Sequence, residues 1–490
     1  MGCEPCNELT KIEAQIEELH ERHRQARVKR NYIHSPLIHQ FPLEIVTSIF
    51  ILASPPREGC PYCSIVPSGE ASPLVLIKIC HTWRALALSI PRLWSSISID
   101  AENPNFPLLN HQIAHSGVAP LSVYLSASGF ESEQELANAK QAMSLVIKQL
   151  HRVASLYLNP TNDFAMACGS IPYLDYPKTA PLLEELHFHC VDDGPSSSFQ
   201  LKLAIEPPRP RQVRLRSISF DQICIDWSSV SSLALEFCDI RMLPPALKNL
   251  KRLDLMHTSW GFSMVSQSIQ DVTHEAEWWD AADFMLGMTL PSLRMLDIDI
   301  ADVRTLNPIT CDFLHRSLCP LQVLTIHYGG HADNGDGEQV IRALIDVLEI
   351  TKVLRHLTLR LSDKFLSSGF EPLARRFLSQ DRGFLPCLQT LSLETRFIPP
   401  IDLLLDAMAL NAPPSEVPSG PNNERPLGTL TLGLDIPLDE VRPICQEVLV
   451  RILQMRAAGK KISITCTQWH FSRPRDLVEH WKSYYGFGED

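Results

Sequence analysis

A short alternating motif recurs from about residue 150 onward and constrains the fold of this chain more than any other feature. The motif occurs, for example, as LEELHFHC, LKRLDLMHT, LRMLDIDIAD, LQVLTIHYG and LRHLTLRLSD. Each instance has apolar residues at alternate positions, which gives a β-strand one apolar face. Segments with helical periodicity, such as GEQVIRALIDVLEITK, lie between the strands. The pattern predicts alternating strands and helices over residues 150–490.

The spacing of these strands is irregular. A strand with its helix recurs at intervals of roughly 30 residues, and this rhythm resembles the leucine-rich repeat. The asparagine position of regular repeats is mostly missing from the series. The resemblance therefore implies an irregular, curved solenoid in which stacked units share one core and the strands run parallel. A different α/β fold is the alternative.

The N-terminal region, residues 1–33, predicts one amphipathic helix. Residues 7–30 contain neither glycine nor proline. Four aliphatic residues follow a 3-4-3 spacing, which places them on one stripe of a helix; they are Leu9, Ile12, Ile16 and Leu19. Two interpretations stay open, because the stripe can pack on the rest of this protein or form a short coiled coil with another chain.

Residues 34–100 predict a small helical domain with a loop insertion at 55–72. After Pro42, apolar residues recur at steps of three and four, which is typical of a one-sided helix. The insertion is rich in proline, glycine and serine, as loops are. A second helical run follows with its own apolar stripe and ends at Pro91. Residues 101–149 are interpreted as a linking segment.

This order of motifs resembles the F-box. The matching residues are Phe41-Pro42, Ile49-Phe50, Ile79-Cys80-His81-Thr82-Trp83-Arg84 and Leu93-Trp94. The variant PRLWSSI after the second helix is similar to the large F-box families of mushroom-forming fungi. With the repeats, the expected fold class is α+β or α/β. It comprises an N-terminal helix, a small all-α F-box, and an irregular leucine-rich-repeat-like α/β solenoid.

The resemblance also implies partners and site residues. F-box domains dock apolar helix residues and proline-containing turns onto a Skp-type adaptor and, through it, reach a cullin. The positions that this implies for adaptor binding are Pro42, Leu43, Ile45, Ile49, Phe50, Leu76, Ile79 and Cys80. The positions that it implies for the domain core are Val46, Trp83, Leu93 and Trp94. For Trp83 the core is also favoured because a large aromatic residue usually holds a small domain together.

Charge and composition exclude several other classes of function. The formal net charge of -12 argues against nucleic-acid binding, because phosphate-binding surfaces need clustered lysine and arginine. No apolar stretch is long enough for a membrane span, and the first thirty residues lack a secretory signal. The 14 cysteines are scattered through apolar runs, as in proteins of a reducing compartment. We therefore expect a cytoplasmic or nuclear protein without nucleic-acid or membrane partners.

No catalytic motif is present in the sequence. A nucleophile elbow, a kinase signature and a dinucleotide-binding fingerprint are all missing. Cys60 and Cys63 have the spacing of half a zinc site, but no second pair lies at the distance of a zinc finger. We expect neither a cofactor nor a metal, although metal binding by this one pair stays open.

The expected function is that of a non-catalytic substrate receptor. The F-box would bind the adaptor of a Skp–cullin–F-box ubiquitin ligase, and the repeat domain would bind a protein substrate. The alternative is an F-box protein outside a ligase, which acts as a scaffold. Recruitment of cullin separates the two, and the sequence does not identify the substrate.

Overall fold

The computed structural model divides the chain into two compact units, Met1–Pro208 and Arg209–Asp490. The residues that it describes are 3–34, 41–53, 73–127, 129–130, 132–161, 177–190, 200–238, 243–244, 246–257, 264–275, 282–300, 302–329, 337–361, 370–378, 384–409, 427–435, 444–466 and 475–485. The predicted loop insertion at 55–72, with Cys60 and Cys63, lies outside these residues.

The first unit begins with helices. They are α1 (Glu4–His34), α2 (Leu43–Ala53), α3 (Pro73–Ile79), α4 (His81–Ser89), α5 (Phe106–His115) and α6 (Glu133–Gln149). Short 3-10 helices cover Pro91–Trp94 and Leu150–Arg152. The starts of two helices are capped by polar side chains that accept a backbone hydrogen bond. Asn105 caps α5, and Ser132 caps α6.

Strands of the first unit run parallel and in chain order. They are β1 (Ser96–Asp100), β2 (Leu121–Ser126), β3 (Val153–Asn159) and β4 (Glu185–His189). Their buried side chains align across the sheet in the row Ile97, Val123, Leu156 and Leu186. The strand–helix alternation therefore begins at β1, before the position at which the sequence pattern predicts it. The region 101–149, interpreted as a linking segment, contains α5, β2 and α6.

The second unit extends the same arrangement over more strands. They are β5 (Gln212–Arg216), β6 (Ser232–Glu236), β7 (Arg252–Met256), β8 (Asp271–Glu275), β9 (Met295–Ile300), β10 (Val323–Tyr328), β11 (His356–Leu361), β12 (Thr390–Thr395), β13 (Thr429–Leu434) and β14 (Lys461–Cys466). Each pairs in parallel with the next along the chain, and β15 (Arg475–Asp476) is antiparallel to β14. Met264–Val265 and Met288–Thr289 form a separate short parallel pair.

Helices connect most of the later strands. They are α7 (Ala282–Gly287), α8 (Thr310–Ser317), α9 (Gly337–Ile350), α10 (Phe370–Leu378), α11 (Ile401–Ala409), α12 (Gln446–Ala457) and α13 (Leu477–Tyr484). The described residues of this unit also form two 3-10 helices, Phe220–Gln222 and Trp227–Ser229, and a π-helical turn at Thr305–Ile309. From α8 to α13, each helix contacts the next. The mixed α/β class with parallel strands is confirmed.

Two aliphatic rows form the core beneath the strands of the second unit. The first row is Val213, Leu233, Leu253, Val272, Leu296, Leu324, Leu357, Leu391, Leu430 and Ile462. Two residues further on, the second row is Leu215, Leu235, Leu255, His274, Ile298, Ile326, Leu359, Leu393, Leu432 and Ile464. Every member is buried, and His274 is the one polar residue in either row. Because side chains alternate between the faces of a strand, the residues between these two rows lie on the opposite face, and most of them are polar.

Candidate functional site

The region that resembles an F-box forms a helical cluster around α2, α3 and α4. Its buried side chains are Val46, Phe50, Leu76, Ala87, Ile90, Leu93 and Trp94. Steps of four residues along α2 bring Val46 and Phe50 onto the same buried stripe. The cluster holds three of the four positions expected in the core, and the fourth, Trp83, is half-buried against it.

Aromatic residues tie the helices of this cluster together. The rings of Phe50 and Trp83 lie 4.7 Å apart between centroids, and Trp94 Nε1 donates a 2.8 Å hydrogen bond to the carbonyl of Ala87. That bond satisfies the polar atom of a fully buried tryptophan. Cys80 has a local role, since its sulfur accepts a hydrogen bond from the backbone N–H of Trp83 and caps the start of α4.

A second apolar stripe on α2 faces away from the cluster. Ile45, Ile49 and Leu52 follow one another at steps of four and three, and so share a helix face. Ile45 is 45% exposed and Leu52 is 78% exposed, whereas Ile49 is half-buried. Helix α2 is therefore apolar on two sides, and it packs only one of them into the cluster.

Other exposed apolar residues lie beside this stripe in the sequence. Phe41 lies just before α2, and Leu43 is the first residue of that helix. Val75 and Ile79 are four residues apart on α3 and therefore share one face of it. With Ile45 and Leu52, these six residues constitute the exposed apolar set: Phe41, Leu43, Ile45, Leu52, Val75 and Ile79. Single exposed apolar residues are ordinary on a protein surface, but six within the described segments 41–53 and 73–79 are unusual.

The residues expected to bind an adaptor divide by exposure. Pro42, Leu43, Ile45 and Ile79 are exposed, and Ile49 and Cys80 are half-buried. Phe50 and Leu76, at 1% and 8% exposure, belong to the core and are inaccessible to a partner. Their assignment to the contact surface is corrected accordingly. The sequence analysis named Phe41 only as part of the F-box resemblance and did not single out the exposed residues Leu52 and Val75. The seven-residue step from Ile45 to Leu52 was a readable signal.

A charged row crosses the polar strand face of the second unit. Asp299, His327, Arg360 and Glu394 occupy directly aligned positions on β9 to β12. Nδ1 of His327 lies 3.1 Å from Oδ1 of Asp299, and Nε of Arg360 lies 2.8 Å from Oε2 of Glu394. Gly433 follows in the row, and a β-carbon there would lie 3.2 Å from Cγ of Glu394. Glycine thus leaves room for that glutamate.

The protonation state of His327 determines the net charge of this row. Burial alone would lower its pKa, but hydrogen bonds to Asp297 and Asp299 outweigh burial and raise the pKa to about 9. Nη1 of Arg360 lies 2.7 Å from Nε2 of His327, and a protonated ring cannot accept a hydrogen bond from that guanidinium. We nevertheless assign the protonated ring. The carboxylates of Asp297, Asp299 and Glu394 then surround two cations, His327 and Arg360.

Hydroxyl side chains line the neighbouring row of the same face. They are Thr325, Thr358, Ser392, Thr431 and Ser463, in register after Asp297. Each is partly exposed. The polar face therefore offers donors and acceptors at a fixed spacing of about 4.8 Å between strands.

Among the described residues, no cluster of histidine, cysteine or acidic side chains is arranged to hold a metal ion. His111 and His115 instead pack their rings on Trp94, at 5.2 and 5.5 Å between centroids. None of the described helices has the length and apolarity that crossing a bilayer requires.

Comparison with known proteins adds no assignment to this geometry. No protein-family model matches the chain, and no curated protein matches it. Function must therefore be argued from the helical cluster and the strand face themselves.

Proposed function

We propose that this chain is the substrate-receptor subunit of a Skp–cullin–F-box ubiquitin ligase. Its helical cluster is the F-box, which binds a Skp-type adaptor, and its leucine-rich-repeat-like solenoid binds a protein substrate. The observation that carries the proposal is the exposed apolar set on α2 and α3. The F-box resemblance of residues 41–94 supplies the identity of the partner.

Partner binding explains why α2 is apolar on two sides. A helix at the surface of a lone domain ordinarily turns charged residues toward water. Here Ile45 and Leu52 occupy that outer position, while Val46 and Phe50 fill the core. Covering the outer stripe with an apolar partner surface removes it from water at roughly 25 cal/mol per Å². The same helix then contributes to both the core and the interface.

The polar strand face supports a role in binding a protein substrate. Its charged row and hydroxyl row are held on parallel strands, whose backbones are fixed by hydrogen bonds on both sides. This rigid face carries both positive and negative side chains. A protein partner with the complementary pattern of charges would be bound specifically. Catalysis then needs no residue of this chain, because the receptor acts by raising the effective concentration of a substrate lysine near the loaded conjugating enzyme.

Co-purification with the adaptor and cullin tests this proposal. The tagged full chain is isolated from its native cells beside the double variant Ile45→Asp/Leu52→Asp, and adaptor and cullin are quantified by mass spectrometry. Both substituted side chains are exposed, so the variant is expected to unfold at the same temperature as the wild type. We expect the wild type to retain both partners and the variant to lose at least about 90% of each, which corresponds to roughly 1.4 kcal/mol or more.

Leu182→Asp is the matched control. Leu182 is an exposed aliphatic residue of the same unit outside the helical cluster, so its variant should retain adaptor and cullin. Adaptor without cullin in the wild type would instead favour a scaffold that acts outside a ligase. If the wild type brings down neither protein, the receptor proposal is wrong.

A further inference from the structure

Helix α1 carries an apolar stripe that is exposed to solvent. It is 31 residues long, and Leu9, Ile12, Ile16 and Leu19 are between 47% and 61% exposed. Of its side chains that the structure describes, none is buried. A helix that buries no apolar face has little to hold it, because most helical stability in proteins comes from packing. The stripe therefore needs an occupant.

The charges of α1 are divided between its two halves. Residues 4–21 contain six glutamates and one lysine, whereas residues 22–34 contain four arginines and one lysine without any acidic residue. Such a helix is complementary to a reversed copy of itself. Each acidic half then meets a basic half, and opposite charges at the flanks of a helical seam set partner choice and orientation.

We propose that α1 docks a second copy of this chain as an antiparallel two-helix coiled coil. The seam continues the heptad spacing of the stripe through His23 and Ala26. In the antiparallel register, Leu9 lies opposite Ala26 of the other copy, Ile12 opposite His23, and Ile16 opposite Leu19. Every layer then combines at least one large aliphatic residue with its partner, as close packing requires.

Orientation follows from the residues that flank the seam. In the antiparallel register Glu8 faces Lys29 of the other copy, and Glu13 faces His20. A parallel pair would set Glu8 against Glu13 and Arg22 against Arg27, which are like-charge contacts. It would also set Ala26 on Ala26 and His23 on His23 in the seam. Both charge and side-chain size favour the antiparallel arrangement. Self-association through α1 does not rest on the proposed adaptor binding, since the exposed apolar set lies on other helices.

Sedimentation equilibrium of the full chain over a range of concentrations tests the dimer and its orientation. We expect the wild type to reach twice the monomer mass. Glu8→Lys and Lys29→Glu should each weaken the dimer by about tenfold, because each creates two like-charge contacts. The double variant Glu8→Lys/Lys29→Glu, and an equimolar mixture of the two single variants, should restore the affinity.

Two further variants test the seam. Ile16→Asp should weaken the dimer by about a hundredfold or more, since it places a charge in an apolar layer. Val28→Asp is the matched control on the opposite side of the same helix, and it should leave the dimer intact. A wild type that stays monomeric overturns the proposal. Tighter association of Glu8→Lys overturns the antiparallel orientation, and no effect of Lys29→Glu overturns the full-length register. Equal effects of Ile16→Asp and Val28→Asp overturn the seam.

Discussion

His327 links the polar strand face to pH. Its folded pKa is about 9, whereas an unfolded histidine titrates near ~6.5. The raised value means that the folded state binds the proton more tightly. The resulting stability is fully present below pH ~6.5 and is lost as the pH rises through about 9. With 28% of the side chain exposed, solvent screening reduces the contribution to roughly 1–2 kcal/mol.

We therefore expect the free energy of unfolding to fall by that amount between pH 6.5 and pH 9.5, relative to a variant that cannot titrate there. Urea denaturation of wild type and His327→Gln at both pH values measures the difference. Subtracting the variant removes the contribution of every other group that titrates in this range. Identical pH dependence of the two proteins contradicts the assigned protonation of His327.

His274 behaves in the opposite sense, because it occupies an aliphatic position. It lies in register between Leu255 and Ile298 in the second buried row. Burial lowers its pKa to about 4, although the negative charge of Asp299 acts in the other direction. A neutral buried histidine provides stability that is present above pH ~6.5, where the unfolded histidine is also neutral. This stability is lost as the pH falls through about 4.

Replacing His274 with the aliphatic residue of its neighbours should remove this acid sensitivity. We expect wild type to lose roughly 2–3 kcal/mol more than His274→Leu between pH 7 and pH 4. Chemical denaturation at the two pH values, followed by circular dichroism, gives the difference. A variant that loses stability as steeply as wild type would show that other groups govern acid unfolding.

At the scale of single elements, one arginine closes the end of a helix. Arg152 is buried and donates to the carbonyls of Ile113 and Gly117 and to the hydroxyl of Ser116, at 3.2, 2.6 and 3.0 Å. Its Nε also donates to Gln149. The last carbonyls of a helix have no partner within it, and the end of α5 finds one in a residue that follows α6. The guanidinium thus fastens two helices of the first unit together.

Removing this guanidinium should destabilise the first unit. We expect Arg152→Met to lower the free energy of unfolding by roughly 2–4 kcal/mol, because the buried hydroxyl of Ser116 and two carbonyls at the end of α5 lose their donor. Arg152→Lys should recover only part, since an ammonium cannot reach acceptors in so many directions. Thermal and urea denaturation compare the three proteins. A loss below about 0.5 kcal/mol for Arg152→Met is the result expected of an ordinary surface site, and it contradicts the role assigned here.

Elements with a strong internal period were predictable from the sequence. The alternation of LRMLDIDIAD, LQVLTIHYG and LRHLTLRLSD corresponds to β9, β10 and β11, and the 3-4-3 stripe of residues 9–19 lies on α1. β1 and β2 were missed although apolar residues alternate in both, with Ile97 and Ile99 in β1 and Leu121, Val123 and Leu125 in β2. Apolar runs this short do not separate a strand from a helix. Helical periodicity also did not distinguish Phe50, which is buried, from Leu52, which is exposed. Both are apolar on one short helix, and tertiary packing alone decides which stripe turns inward.

At the scale of the whole molecule, the pairing of strands in chain order makes each unit a linear array. In such an array every strand contacts only the strands before and after it, so stability is approximately a sum of local terms and nearest-neighbour interfaces. A strand at the edge of such an array has a neighbour on one side alone. In the second unit, β13 covers one edge of β14, and on the other edge the described part of β15 pairs with Thr465 and Cys466.

The final helix α13 protects this end of the second unit. It packs on β14, with Leu477, Val478 and Trp481 buried. Trp481→Ala should therefore lower the free energy of unfolding by roughly 3–5 kcal/mol, since it leaves a cavity in place of a large aromatic residue. Loosening α13 also exposes the edge of a parallel sheet, and exposed edges promote aggregation.

Tyr484→Ala is the control on the same helix, because Tyr484 is exposed. Urea denaturation measures stability, and light scattering during heating measures aggregation. We expect Trp481→Ala to scatter at a temperature lower than wild type, while Tyr484→Ala follows wild type. Equal behaviour of the two variants would mean that α13 does not protect the end of the array. Fraying would then have to start elsewhere in the unit, because a linear array opens first where its nearest-neighbour interfaces are weakest.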